Sequence, residues 1–131
     1  MSDAAARPPA VAGTPRLLLR AEGFAIFCVA LALYHGLGAP WWLFVVLFLA
    51  PDLSFLGYLA GPRLGAACYN AAHVTLAPAV LGGAAALSGW MPGVWLGLIW
   101  AAHIGFDRAL GYGLKYPTAF GDTHLGRIGR R

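Results

Sequence analysis

Four long apolar runs, at roughly residues 17–37, 41–60, 65–88 and 90–114, are separated by short breaks along the chain. Each is about 20 residues or a little longer, the length at which a rise of about 1.5 Å per residue crosses a hydrocarbon core of about 30 Å. The connections "GLGAPWW", "LAGPRLG" and "LSGWMPG" are rich in Gly and Pro, so consecutive helices are expected to be antiparallel neighbours. The pattern predicts an all-α fold: a polytopic membrane protein whose residues 17–114 form an up-down four-helix transmembrane bundle. The opening "MSDAAARPPAVAGTP" has no period and much Ala and Pro, which predicts a disordered cytoplasmic tail over 1–16. Residues 115–131 form a short interfacial segment after the fourth span.

Composition strengthens this reading. Of 131 residues, 60% are hydrophobic and only 11% charged, and the mean hydropathy is +0.68. A soluble domain carries about a quarter charged residues, whereas a bilayer favours an apolar outer face. Arg7, Arg16 and Arg20 lie before or at the start of the first run, Arg63 in the second connection, and Lys115, Arg127, Arg130 and Arg131 after the fourth run. The first and third connections carry no Lys or Arg, so both termini are expected on the cytoplasmic side. The net charge of +4 fits anionic lipid headgroups and calls for no nucleic acid. Tyr69, Tyr112 and Tyr116 fall at the inner interface, where aromatic anchors are expected.

Polar residues interrupt the runs at one depth. Counted inward from the cytoplasmic ends, Glu22 falls at about 8 Å, Asp52 at about 12 Å, Asn70 at about 8 Å, His73 at about 12 Å, His103 at about 16 Å and Asp107 at about 10 Å. An ionised group near the centre of a span costs about 2.5 to 3.5 kcal/mol on insertion scales, which favours one shared interior cluster over scattered lipid-facing charges. His103 and Asp107 are four residues apart and Asn70 and His73 three, so each pair occupies one helix face. Pro51 precedes Asp52 and removes a backbone hydrogen bond from the second helix.

Two imidazoles and two carboxylates from three helices are a donor set for zinc, iron or manganese. Such a metal lowers the pKa of a bound water toward about 7. The expected ligands are Asp52, His73, His103 and Asp107, with Glu22 as general base or outer partner and Asn70 orienting a ligand. Asp122 and His124 are further candidate ligands or part of a lid, because "GYGLKYP" stops the fourth helix and turns the chain back. An interfacial tail held by Phe120, Leu125 and Ile128 is the alternative for this segment. Arg63 and Arg108 are candidates for a phosphate headgroup. Two other readings of the cluster stay open: a proton or ion relay, and a structural network in which Arg20, Arg63 and Arg108 pair with Glu22, Asp52 and Asp107. No P-loop, nucleophile elbow, Rossmann glycine pattern or Cys-x-x-Cys motif occurs.

"PDLSFLGYLAGPRLGAACYNAAH" and "IWAAHIGFDRALGYGLKYPTAFGDTHLGRIG" resemble a family of small four-helix bacterial membrane proteins, domain of unknown function 4260. That resemblance runs from Leu17 onward and implies a compact multi-pass protein of the bacterial inner membrane. Pro51-Asp52, His73, and His103 with Asp107, Gly113 and Pro117 are also similar in order to the LexA-regulated, membrane-bound metal-dependent hydrolases. Ser54 stands where that family has a second acid. This second resemblance implies a metal-dependent hydrolase acting on a lipid or another amphiphile, with Asp52, His73, His103 and Asp107 as ligands.

Overall fold

The computed structural model describes residues 6–129. The first five residues of the expected tail, and Arg130 and Arg131 of the charge count, lie outside the described residues. The regular elements among the described residues are helices and one short hairpin: α1 (Gly13–Gly36), α2 (Trp41–Leu47), a 3-10 helix (Ala50–Ala60), α3 (Pro62–His73), α4 (Leu76–Ser88), α5 (Met91–Leu110), β1 (Asp122–Thr123) and β2 (Gly126–Arg127). Three stretches, Gly13–Gly36, Trp41–Ala60 and Pro62–Ser88, are long and apolar enough to cross a membrane. Large apolar side chains such as Leu17, Val45, Leu59 and Leu87 face outward, as expected where lipid is the solvent.

Two of the expected spans are broken, and proline accounts for both breaks. In the second, α2 stops at Leu47 and the chain re-enters as the 3-10 helix with Pro51 in its first turn. In the third, Val74 is extended (φ −84°, ψ 132°) because Pro78 has no N–H for the Val74 carbonyl and its ring would clash with it. Pro78 instead occupies the first turn of α4, where the missing N–H leaves no gap. His73 is thereby the last residue of α3, and Asp52 lies in the first turn of the 3-10 helix. Both are polar residues at helix interruptions, where backbone groups need protein partners.

Those partners come from α5. Trp100 Nε1 donates to the Ala72 carbonyl (2.6 Å) and Arg108 Nη2 to the His73 carbonyl (2.7 Å). Helix α5 packs on α1 and α4, while α3 packs on the 3-10 helix. The α1–α5 contact is backbone on backbone: a Cβ on Gly105 would lie 2.6 Å from the Gly23 carbonyl, and one on Gly23 2.9 Å from the Gly105 carbonyl. Gly105 is two residues, about 200°, from His103 and from Asp107. Seating Gly105 on α1 therefore turns the His103–Asp107 face toward α3 and the 3-10 helix.

The C-terminal segment folds back on the helix ends. Gly111, at φ 90°, ends α5 in the left-handed region that favours glycine. The β1–β2 hairpin that follows buries Leu125 completely. Asn70 grips the backbone of Lys115 at both its N–H (2.7 Å) and its carbonyl (2.8 Å), Arg16 Nε donates to the Leu125 carbonyl (2.5 Å), and Arg20 Nε donates to the Ala109 carbonyl (2.9 Å). The expected loose tail is also tied from Pro9 onward: Tyr116 Oη donates to the Pro9 carbonyl (2.6 Å) and Val11 N–H to the His124 carbonyl (2.8 Å).

Candidate metal centre

Asp52, His73, His103 and Asp107 converge, each offering one donor atom, with all four atoms within 4.8 Å of one another. His73 Nε2 lies 3.1 Å from His103 Nε2. Asp52 Oδ1 is 3.3 Å from His73 Nε2 and 3.2 Å from His103 Nε2, and Asp107 Oδ2 is 3.5 Å and 3.3 Å from the same atoms. Four tetrahedral donors, each about 2.0–2.1 Å from one ion, are about 3.3–3.4 Å apart. Five of the six edges of such a tetrahedron are thus matched, with Asp52 and Asp107 within 4.8 Å of each other, and the residues present fit a first-row ion.

Hydrogen bonding prepares one ligand. His73 Nδ1 lies 2.8 Å from the Tyr69 carbonyl, which can only accept, so Nδ1 carries the proton and, when the ring is neutral, the lone pair is at Nε2. That position faces two carboxylates and a second imidazole, an arrangement that one cation among them would satisfy. His103 Nδ1 is buried with no hydrogen-bond partner among the described residues. The Tyr69 ring stacks flat on His73 (3.8 Å, 9°), and Phe48 meets His103 edge-on (5.5 Å, 67°).

Charge points the same way. Among the described residues no Arg or Lys nitrogen lies within 4.0 Å of the Asp52 or Asp107 carboxylate; the one such pair is Arg127 with Asp122. Converging carboxylates whose nearest possible cations are two imidazoles are costly at low dielectric, and one divalent ion would neutralise both. The alternative arginine network is not formed among the described residues. Arg20 and Arg108 are bonded to backbone carbonyls, and Arg63 is exposed at the start of α3.

The remaining expected site residues lie elsewhere. Glu22 is exposed on α1; its neighbour Gly23, about 100° around the helix, is the residue that faces α5. Asp122 accepts from Arg127 (2.6 Å) and Thr118 (2.7 Å), and His124 Nδ1 accepts the Leu114 N–H (2.9 Å). Both thus shape the hairpin and are not brought to the cluster. Burial, with the Arg108 charge, holds the His124 imidazole below its ordinary pKa. Asn70 orients the C-terminal segment instead of a ligand. Arg108 caps the end of α3 instead of facing headgroups.

The hairpin does cover the cluster, through other residues. A cavity of about 270 Å³ is lined by Asp52 and Asp107 on one side and by Lys115, Phe120 and Ile128 of the C-terminal segment, with Phe55 and Tyr69 in its wall. Lys115 is buried; its Nζ donates to the Phe120 carbonyl (2.6 Å) and lies 3.6 Å from the Phe120 ring centre and 4.9 Å from that of Tyr69. Burial lowers its pKa to about 8, against the pull of Asp107. Charge patterning marked Lys115 only as a topology signal, and Tyr69 was expected first as an interfacial anchor, with a proton donor near the cluster as the other reading. The helix stop at Gly111 was the available sign that Lys115 turns back toward the cluster.

The cluster could hold a metal ion, and the apolar helices mark a membrane protein. No match was found among curated proteins or solved structures, so no named relative supports the likeness to the metal-dependent hydrolases. Over residues 16–128, the chain belongs to the family described as Domain of unknown function (DUF4260).

Proposed function

We propose that this protein is a metal-dependent membrane hydrolase. Asp52, His73, His103 and Asp107 bind one divalent ion, zinc, iron or manganese, and the substrate is a lipid or another amphiphile. The observation that carries this reading is the spacing of the donor atoms about the two imidazoles, 3.1 to 3.5 Å, around carboxylates with no Arg or Lys partner among the described residues. A bound ion supplies Lewis acidity, activating water and polarising a phosphoryl or carbonyl oxygen. The chain's own residues hold the ligands and shape the approach: the Tyr69 carbonyl fixes the His73 tautomer, α5 carries His103 and Asp107 as one unit, and the C-terminal segment limits water entry.

In this reading all four expected spans cross the bacterial inner membrane, both termini are cytoplasmic, and the cavity opens at the inner leaflet. Cysteine labelling at Arg7 and Arg127 in intact and opened spheroplasts tests that orientation. The activity is tested by incubating the purified protein, zinc-loaded or chelated, with a labelled bacterial lipid extract. Metal-dependent product absent from Asp107→Ala supports hydrolysis, and equal product with and without metal contradicts it. A proton relay is the second reading, favoured by the 3.1 Å separation of the two Nε2 atoms; pH changes inside proteoliposomes test it.

A further inference from the structure

We propose that the cavity beside the four ligands receives a monoanionic phosphoryl group, a phosphodiester above all, held between the metal and the Lys115 ammonium. This deepens the metal reading and rests on it. Lys115 is 5% exposed, and no carboxylate lies within 4.0 Å of its nitrogen among the described residues. One of its three N–H groups is bonded to the Phe120 carbonyl, and aromatic faces are its other close neighbours. A buried ammonium so placed retains capacity for an anionic acceptor. The cavity lined by Lys115 also reaches the Asp52 and Asp107 side chains.

The charge balance sets the class of ligand. The two carboxylates cancel a divalent ion, and Lys115 leaves the loaded site with one positive charge. A monoanion neutralises it, a dianion overshoots, and a neutral ligand leaves the ammonium uncompensated. Arg16, Arg20 and Arg108 are committed to carbonyls, which leaves Lys115 as the basic group of this cavity. A volume of about 270 Å³ suits a headgroup-sized fragment better than a whole lipid.

The test uses cobalt(II) as a visible-absorption probe of the metal site in the purified full chain. Dimethyl phosphate, a monoanionic diester, is titrated into protein in maltoside detergent, with neutral trimethyl phosphate as control. The expected result is a saturable change in the cobalt spectrum with dimethyl phosphate alone, weakened about tenfold or more in Lys115→Met and retained in Lys115→Arg. A cobalt spectrum of Lys115→Met that matches wild type before titration shows that the variant keeps its ligands. In phosphatidylglycerol nanodiscs the spectrum is already shifted without added diester if a lipid headgroup is the ligand, and unshifted if the ligand comes from solution. Equal affinity in wild type and Lys115→Met, no spectral change with dimethyl phosphate, or loss of cobalt from Lys115→Met overturns the assignment of Lys115 while leaving a metal site standing. Failure of wild type to bind cobalt overturns the metal reading, and this inference with it.

Discussion

His73 donates from Nδ1 to the carbonyl of Tyr69, one turn earlier in α3, at 2.8 Å, while the Tyr69 ring stacks on the same imidazole at 3.8 Å. One residue thus fixes both the tautomer and the tilt of the ring. The lone pair left at Nε2 when the ring is neutral faces the carboxylates, which is how a metal-ligating histidine is commonly oriented. The stack also keeps water from one face of the ligand.

Asp107→Asn separates a metal site from a structural ion-pair network. In chelator, the substitution removes one of two converging negative charges, so stability stays equal or rises. With zinc at about 100 times its Kd, wild type gains about 2.7 kcal/mol, and Asp107→Asn forfeits most of that gain. Thermal unfolding in detergent, with EDTA and with zinc, measures both. A substantial loss of stability in EDTA would mean that Asp107 makes a favourable pair without metal.

Gly105→Ala tests how the site is positioned. Its Cβ would lie 2.6 Å from the Gly23 carbonyl and 2.7 Å from the Phe27 nitrogen, which forces α1 away from α5 at a cost of about 1–3 kcal/mol. Gly83→Ala is the control, because nothing lies within 4 Å of its Cβ, and helix propensity makes it neutral or stabilising by up to about 1 kcal/mol. Unfolding midpoints of the two variants should move in opposite directions, or only the first should fall.

The cluster was legible in the sequence because membrane burial makes polar residues conspicuous, and depth along each helix is countable. His103 with Asp107 followed from a four-residue spacing, and Asp52 from Pro51. What depth does not give is azimuth. Glu22 shares the slab yet faces outward, because Gly23 is the residue at the α1–α5 contact. The Arg108 contact depended on a related detail: the break at Pro78 leaves the His73 carbonyl in need of a donor, and a count of charges does not register it. The C-terminal residues were the least legible, since the partners of Asp122 and His124 depend on a turn whose direction is set by Gly111 and by Asn70, 45 positions upstream of Lys115.

Asn70→Ala should loosen the cover without emptying the metal site. Losing both bonds to the Lys115 backbone costs about 1–3 kcal/mol, concentrated in the C-terminal segment. Hydrogen exchange over residues 114–128 should accelerate while amides in α5 keep their protection. Uniform acceleration across α5 would show that Asn70 supports the bundle rather than the cover.

The Lys115 ammonium gives a pH signature. Its pKa is about 8 in the folded, metal-free protein against an ordinary 10.5, so the unfolded chain binds more protons between those values. Stability contributed through this group therefore rises with pH from about 8 to about 10.5 and is flat on either side. Lys115→Met should remove that rise, read as the difference between the two unfolding midpoints across the window in EDTA. A wild type whose midpoint parallels the variant throughout would mean that Lys115 titrates normally.

The central claim is that Asp52, His73, His103 and Asp107 together hold one metal ion, and metal analysis of the purified protein tests it most directly. Wild type, dialysed against zinc, manganese or iron(II) and then washed, should retain about one first-row ion per chain for at least one of them, as a single set of four convergent donors implies. His103→Ala and Asp107→Ala should lose it, and Glu22→Ala and Asp122→Ala should keep it. A folded wild type that retains none of the three, or full retention in His103→Ala and Asp107→Ala, would contradict the account.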